Sequence, residues 1–227
     1  MIEIDANSIL DWDKEYGRSF RYRKHHDQSY DNTMFNEFES RILYSLICGM
    51  RVKKIVEFSP CKGFSSSVMI DALDARESFD IPSKVWAEIY SYDLVSDSAP
   101  VDRDRDFVRR KLTVGDVKET LDPKLVAECD FLFIDSNHTA PFAEWYMKEI
   151  VPIVRPGVPV WVHDWECTFK ESEEAKVVIK RGFKSGMLLP VFNCMDYQHA
   201  VGVRYTTTIE HRDWKCRRSP SQILVRQ

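Results

Sequence analysis

From residue 34 onward the apolar positions switch between a helical and a strand period. Met34 to Met50 places Phe35, Phe38, Ile42, Leu43, Leu46 and Ile47 at helical spacing, which predicts an amphipathic helix packed on a sheet and ended by Arg51-Val52-Lys53-Lys54. The β-rich run Lys54-Ile55-Val56-Glu57-Phe58-Ser59 follows, then Pro60-Cys61-Lys62-Gly63. Ser65, Ser66 and Ser67 are candidate caps for a helix through Val68, Met69, Ile70 and Leu73. Strand, tight turn and helix in that order open a βαβ unit. Residues 74–86 read as a helix end and loop, and Ala87–Val95 as a second strand ending at Asp93. Asp97–Asp106 is acidic, contains Pro100 and reads as an exposed loop; Phe107–Arg110 resumes a helix, and Leu112–Val117 gives a short third strand and turn.

Phe131-Leu132-Phe133-Ile134 is continuously apolar between Asp130 and Asp135, as in a strand covered on both faces. Phe142–Val154 has a helical pattern closed by Arg155-Pro156-Gly157, and Val158–His163 is a fifth strand. Residues 168–183 predict another helix, and Met187–Phe192 with Ala200–Tyr205 a closing strand pair. No clean periodicity precedes Phe35, so residues 1–33 read as an N-terminal extension and 34–227 as a single domain. Strands alternating with helices predict an α/β fold, a mostly parallel sheet with helices on both faces. Such sheets bind ligands beyond the carboxyl ends of their strands, where strand order reverses. Glu57, Ser59, Asp93, Asp116, Asp135, His163 and Asp164 all fall at such ends.

Composition changes this picture little. At 227 residues, 44% hydrophobic and 30% charged, the chain is long enough for a sizeable core. The net charge of −4 offers no global field for nucleic acid or an anionic membrane. A local basic cluster, Arg18 to His26, reads as a solvated segment. No apolar run is long enough to cross a bilayer. The acidic start Met1-Ile2-Glu3-Ile4-Asp5 is unlike a signal peptide, so the expected address is cytoplasmic. Six cysteines without a C-x-x-C pair read as reduced, individually placed thiols.

The chemistry gathers at the strand ends. The Glu57–Ser66 turn carries neither G-x-x-x-x-G-K-[ST] nor G-x-G-x-x-G, so it is no phosphate loop. Gly63 allows close backbone approach to a ligand, and the following helix offers free N–H groups. Asp93 can accept from both hydroxyls of a ribose, and Asp116 after Gly115 can sit by the base; each also reads as a solvated loop acid. Asp135 and His138 follow one buried strand, and His163-Asp164 ends the next. If those strands are neighbours, two carboxylates and two imidazoles converge. Asp135 and Asp164 are hard oxygen donors suited to Mg²⁺ or a similar ion, and His138 is a candidate general base. Buried acids bonded to loop amides are the plainer reading of the same residues. Phe142, Trp145 and Trp165 read as core before they read as a stacking wall.

These pieces resemble class I S-adenosylmethionine-dependent methyltransferases, in particular the small O-methyltransferases related to the macrocin type. The resemblance runs from about Phe35 to Tyr205 and rests on Val56-Glu57-Phe58-Ser59-x-x-x-Gly63-x-Ser65-Ser66, Tyr92-Asp93, Phe133-Ile134-Asp135-Ser136-Asn137-His138, Arg155-Pro156-Gly157 and Val162-His163-Asp164. It implies a Rossmann-like sandwich with a closing antiparallel strand and an N-terminal helical extension. It implies S-adenosylmethionine held by Glu57, Phe58, Ser59, Gly63, Ser65, Ser66, Asp93, Asp116 and Asp135. It further implies Mg²⁺ at Asp135, Asp164 and His163, and His138 with Asp135 as the catalytic pair. The implied reaction is in-line methyl transfer to a hydroxyl of a sugar or secondary metabolite, with the acceptor oxygen about 3 Å from the methyl. A homo-oligomer stays open. Two departures stand out: E-x-G-x-G is E-x-S-P-x-x-G here, and histidine precedes Asp164 where some metal-dependent relatives carry an acid. The first motivates an alternative, a methyltransferase-like binding or scaffold domain without catalysis.

Overall fold

A computed structural model describes residues 6–21, 37–79, 87–95, 108–163, 166–167, 170–171, 176–177, 188–191 and 221–225. Helices α1 (Ala6–Tyr16) and α2 (Glu37–Met50) precede β1 (Lys54–Phe58), α3 (Phe64–Phe79), β2 (Ala87–Asp93) and β3 (Val108–Val114). Two short helices, α4 (Val117–Thr120) and α5 (Pro123–Glu128), lead to β4 (Phe131–Ile134), α6 (Ala140–Trp145) and β5 (Pro159–Val162). A two-residue pair, β6 (Glu166–Cys167) and β7 (Lys170–Glu171), then β8 (Leu188–Val191) and β9 (Ser221–Val225) follow. The main sheet runs β3-β2-β1-β4-β5-β9-β8. Its first five strands are parallel, and β9 pairs antiparallel with both β5 and β8.

Period-two alternation sorts the strands onto two cores. Ile55, Ile89, Phe131, Phe133 and Trp161 face α1, α2 and α3. Val56, Tyr92, Leu132, Ile134, Val160 and Val162 face the opposite core with Phe142, Tyr146 and Ile150. Being apolar on both faces, β4 and β5 are buried throughout. Their carboxyl ends are where alternation turns a polar residue onto the α2 side.

Several elements differ from the sequence pattern. Helix α1 lies where no periodicity shows, because its buried face includes a charge: Asp13 sits beside Ile9 and is held by Arg41. Residues 108–110 are strand, not helix. Val108, Arg110 and Leu112 turn inward while Arg109 and Lys111 stay exposed, a period of two on the outermost strand of the sheet. The helix expected over 168–183 is replaced at Lys170–Glu171 by strand. Leu188–Val191 pairs with Ser221–Val225, and Ala200–Tyr205 lies outside the described residues. The helix from Ala140 passes through a π turn at Tyr146–Ile150 and a 3₁₀ turn at Val151–Ile153. Pro152 has no N–H to donate there, so the α ladder cannot continue.

Cys48, Cys61 and Cys129 are free thiols. Burial pushes the Cys129 thiol up to about 12. No described helix is long and apolar enough to cross a membrane.

Candidate functional site

Strand order reverses between β1 and β4, so the crevice beyond their carboxyl ends is where this sheet can take a ligand. The turn after β1 has an unusual backbone. Ser59, Cys61 and Gly63 have φ of 56°, 48° and 79°, all in the left-handed region. For Ser59 and Cys61 that conformation costs about 1–2 kcal/mol each, and these are the two positions where the E-x-G-x-G pattern has glycine. Four interactions hold the turn. Ser59 N–H donates to the Tyr92 carbonyl at 2.7 Å, and Gly63 N–H to the Pro60 carbonyl at 2.7 Å. Cys61 N–H donates to Asp93 Oδ2 at 2.8 Å. The Ser59 and Ser136 hydroxyls share a hydrogen bond of 2.7 Å, tying the ends of β1 and β4 together.

Glu57 lies below this turn, fully buried. Register sets it opposite Ser91 on β2, whose hydroxyl donates to Oε2 at 2.6 Å. Ser66 donates to the same oxygen at 2.6 Å, and Ser65 donates to Oε1 at 2.8 Å. Arg110 Nε donates in turn to Ser91 Oγ at 3.0 Å. A buried carboxylate with three hydroxyl donors is well satisfied, and the set staples the first turn of α3 to β1 and β2. Phe58 points to the other face, edge-on to Tyr92 with ring centroids 6.2 Å apart. Its carbonyl accepts from Asp135 N–H at 3.2 Å.

Asp93 is largely buried at the end of β2, its Oδ1 accepting from Val95 N–H at 3.3 Å. Asp116 is exposed and caps α4, accepting from Lys118 N–H at 2.9 Å. Gly115 before it has φ 140°, and a Cβ there would lie 2.8 Å from Thr120 Cγ2. Leu94 and Val95, 70% and 52% exposed, follow Asp93, and Val114, 51% exposed, pairs with Asp93 across β2 and β3. Large apolar groups standing in solvent together at one strand edge are a binding-surface signal that pattern reading missed.

The ends of β4 and β5 do meet. The register Phe133↔Trp161 brings Asp135 beside His163 on the α2 face. His163 Nδ1 lies 3.0 Å from Asp135 Oδ1. A carboxylate only accepts, so Nδ1 carries the proton of that bond. His138 Nε2 stands 3.8 Å from the same Oδ1, an ion-pair separation. His163 is buried, its ring stacked on Phe133 with centroids 6.4 Å apart. On its other side, Nε2 is 4.0 Å from Oε2 of the buried Glu39. Asp164 and Trp165 lie outside the described residues. The Phe142 and Trp145 rings are tilted against each other with centroids 5.3 Å apart, and the Lys118 ammonium lies 5.6 Å from the Phe142 ring centroid.

Sequence reading also missed Ser91, Arg110, Ser136 and Glu39. Ser91 was signalled by its place two residues before Asp93 on one strand face. Glu39 was signalled as an acid three and four residues before Ile42 and Leu43, within the apolar stripe of α2. Among the described residues, no group of three or more His, Cys, Asp and Glu side chains is arranged to hold a metal. Asp135 and His163 are bonded to each other, and a His nitrogen carrying that proton is not a free donor to an ion.

Residues 56–165 match a family model described as a methyltransferase domain. Among solved structures, the chain is similar to cofactor-bound Rv0187 from MTB, at 15% identity over 91% of this chain and 88% of that one, with TM-score 0.57. It is similar to an O-methyltransferase from Bacillus cereus in complex with SAH, at 10% identity over 100% and 93%, with TM-score 0.52. It is also similar to the O-methyltransferase TomG from Streptomyces achromogenes, involved in tomaymycin synthesis and in complex with SAM, at 14% identity over 100% and 92%, with TM-score 0.51. At these identities the likeness is one of fold. No curated protein matches the chain.

Proposed function

We propose that this chain, whose residues 56–165 match a methyltransferase-domain model and whose fold is similar to that of the solved methyltransferases, methylates a hydroxyl of a small molecule with S-adenosylmethionine. The observation that carries this reading is the strained turn after β1: three left-handed residues latched by Asp93 at the point where strand order reverses. Non-glycine residues persist in that conformation where the surroundings over-determine it, and such strain collects at ligand clamps. Serine and cysteine have replaced glycine without losing the glycine-like path, which favours a working cofactor turn over a decayed one.

The chain's own residues fit the cofactor. Ser59, Gly63, Ser65 and Ser66 would hold its methionine end, with Glu57 bracing the two helix serines and Phe58 the strand end. Asp93 keeps lone pairs for ribose hydroxyls beside its bond to Cys61. Leu94, Val95 and Val114 offer apolar cover for the base, and Asp116 a polar edge. The similar structures that hold SAM and SAH support this choice of cofactor. S-adenosylmethionine supplies a methyl group activated by a sulfonium.

His138 is the base of this reading. Its Nε2 is turned toward Asp135, so Nδ1 takes the acceptor's hydroxyl proton, and Asp135 steadies the imidazolium that results. A divalent metal at Asp135, Asp164 and His163 is a finer reading that the described donors do not fit, and no step here runs through one. A sugar or secondary metabolite as acceptor, its recognition by the 1–33 extension and the late loops, and a cytoplasmic address belong to the same proposal. TomG's part in tomaymycin synthesis supports a small-molecule acceptor.

Isothermal calorimetry tests the cofactor, and His138→Ala tests the base. Wild type is expected to bind S-adenosylmethionine, and the variant to bind it with about the same affinity while losing roughly 10²–10⁴-fold in methyl transfer. Absence of heat at millimolar cofactor sinks the enzyme reading in favour of a scaffold domain. Unchanged turnover in His138→Ala removes that residue as the base.

A further inference from the structure

We propose that Glu39 is a positioning residue: its buried carboxylate acts through His163 to fix the carboxylate of Asp135, and so the seat of His138. The inference rests on the methyl-transfer reading for its kinetic consequence, though not for its geometry.

Glu39 projects from the first turn of α2 into the core and is fully buried, on the helix face that also buries Ile42 and Leu43. Putting a carboxylate there costs several kcal/mol unless charge or hydrogen bonds compensate. The compensation visible from the sheet is His163, whose Nε2 lies 4.0 Å from Glu39 Oε2. His163 is held from three sides. Phe133 stacks against the ring at 6.4 Å, Asp135 accepts a hydrogen bond from Nδ1–H at 3.0 Å, and Glu39 faces Nε2 at 4.0 Å. Asp135 orients the ring through a hydrogen bond, and the Glu39 carboxylate, at 4.0 Å beyond hydrogen-bond reach, acts on it through charge.

The oxygen of Asp135 that accepts from His163 is also the one 3.8 Å from His138 Nε2. Rotation of the His163 ring therefore moves the oxygen that His138 looks at. The helix that carries Glu39 is anchored two residues further along, where Arg41 grips Asp13 of α1 with bonds of 2.7 and 2.6 Å. A core without this duty could bury leucine at position 39 at no loss, since replacing a buried charge with an apolar group of similar size is often neutral or stabilising.

That contrast supplies the test. Glu39→Leu and Glu39→Gln are made in the full chain, with S-adenosylmethionine binding, melting, steady-state kinetics and ¹⁵N-histidine spectra measured on each. Both are expected to keep cofactor affinity, and at least Glu39→Gln to melt close to wild type. Both should lose roughly ten- to a hundredfold in kcat with little change in KM. The His138 ring-nitrogen signals, identified by their loss in His138→Ala, should move in both variants. Unchanged kcat, or His138 signals that stay at their wild-type positions, overturns the proposal. The spectra need no turnover: if wild type fails to bind S-adenosylmethionine, the methyl-transfer reading falls, and the spectra alone decide whether Glu39 reaches His138.

Discussion

At position 61 a cysteine occupies a backbone conformation with φ 48°, where glycine would sit without strain. Its amide is committed to Asp93, so the conformation is retained against a local penalty of about 1–2 kcal/mol. Cys61→Gly should therefore raise stability, by about 1 kcal/mol after allowing for the freedom glycine gains in the unfolded chain. A urea titration measures this, and a fall in midpoint with unchanged slope would show that the side chain contributes more than the strain removes. Neighbouring Glu57 shows the opposite economy. It is a buried acid with every donor in place, and its three serine partners come from two elements that only the fold brings together.

Between elements, the junction of α1 and α2 governs where Glu39 sits. Trp12 of α1 lies on Gly49 of α2 so closely that a Cβ at 49 would come within 2.2 Å of the indole. At the next residue of α1, Asp13 makes the bidentate pair with Arg41. Gly49→Ala should cost about 1–3 kcal/mol by overpacking, despite alanine's better helix propensity. Chemical denaturation reads the loss directly; a stabilised Gly49→Ala variant would mean that Trp12 does not need that groove. The same junction explains why α1 escaped pattern reading. Its buried side carries Asp13 among Ile9, Leu10 and Trp12, so the stripe is not uniformly apolar.

For the molecule as a whole, the outcome turns on which strand ends become neighbours. Asp135 and His163 bond to each other, so activity is expected to persist in EDTA; loss of turnover restored by added Mg²⁺ would return a metal to this edge with Asp164 in its shell. The sequence by itself determined the alternation of strands and helices, the buried character of Phe131–Ile134, the strand over Val158–His163, and the clustering of polar residues at strand ends. These are local: period and composition are written in consecutive residues. It did not determine that Glu57 would be engaged by Ser65, Ser66 and Ser91, that Ser59 and Cys61 would keep a glycine-like path, or that Glu39 would face His163. Nor did it reveal β9, a strand some thirty residues past β8 that inserts between β8 and β5. Those are decided by register and by the docking of α1 and α2, contacts between residues far apart in sequence whose geometry exists only once the sheet has closed around its core.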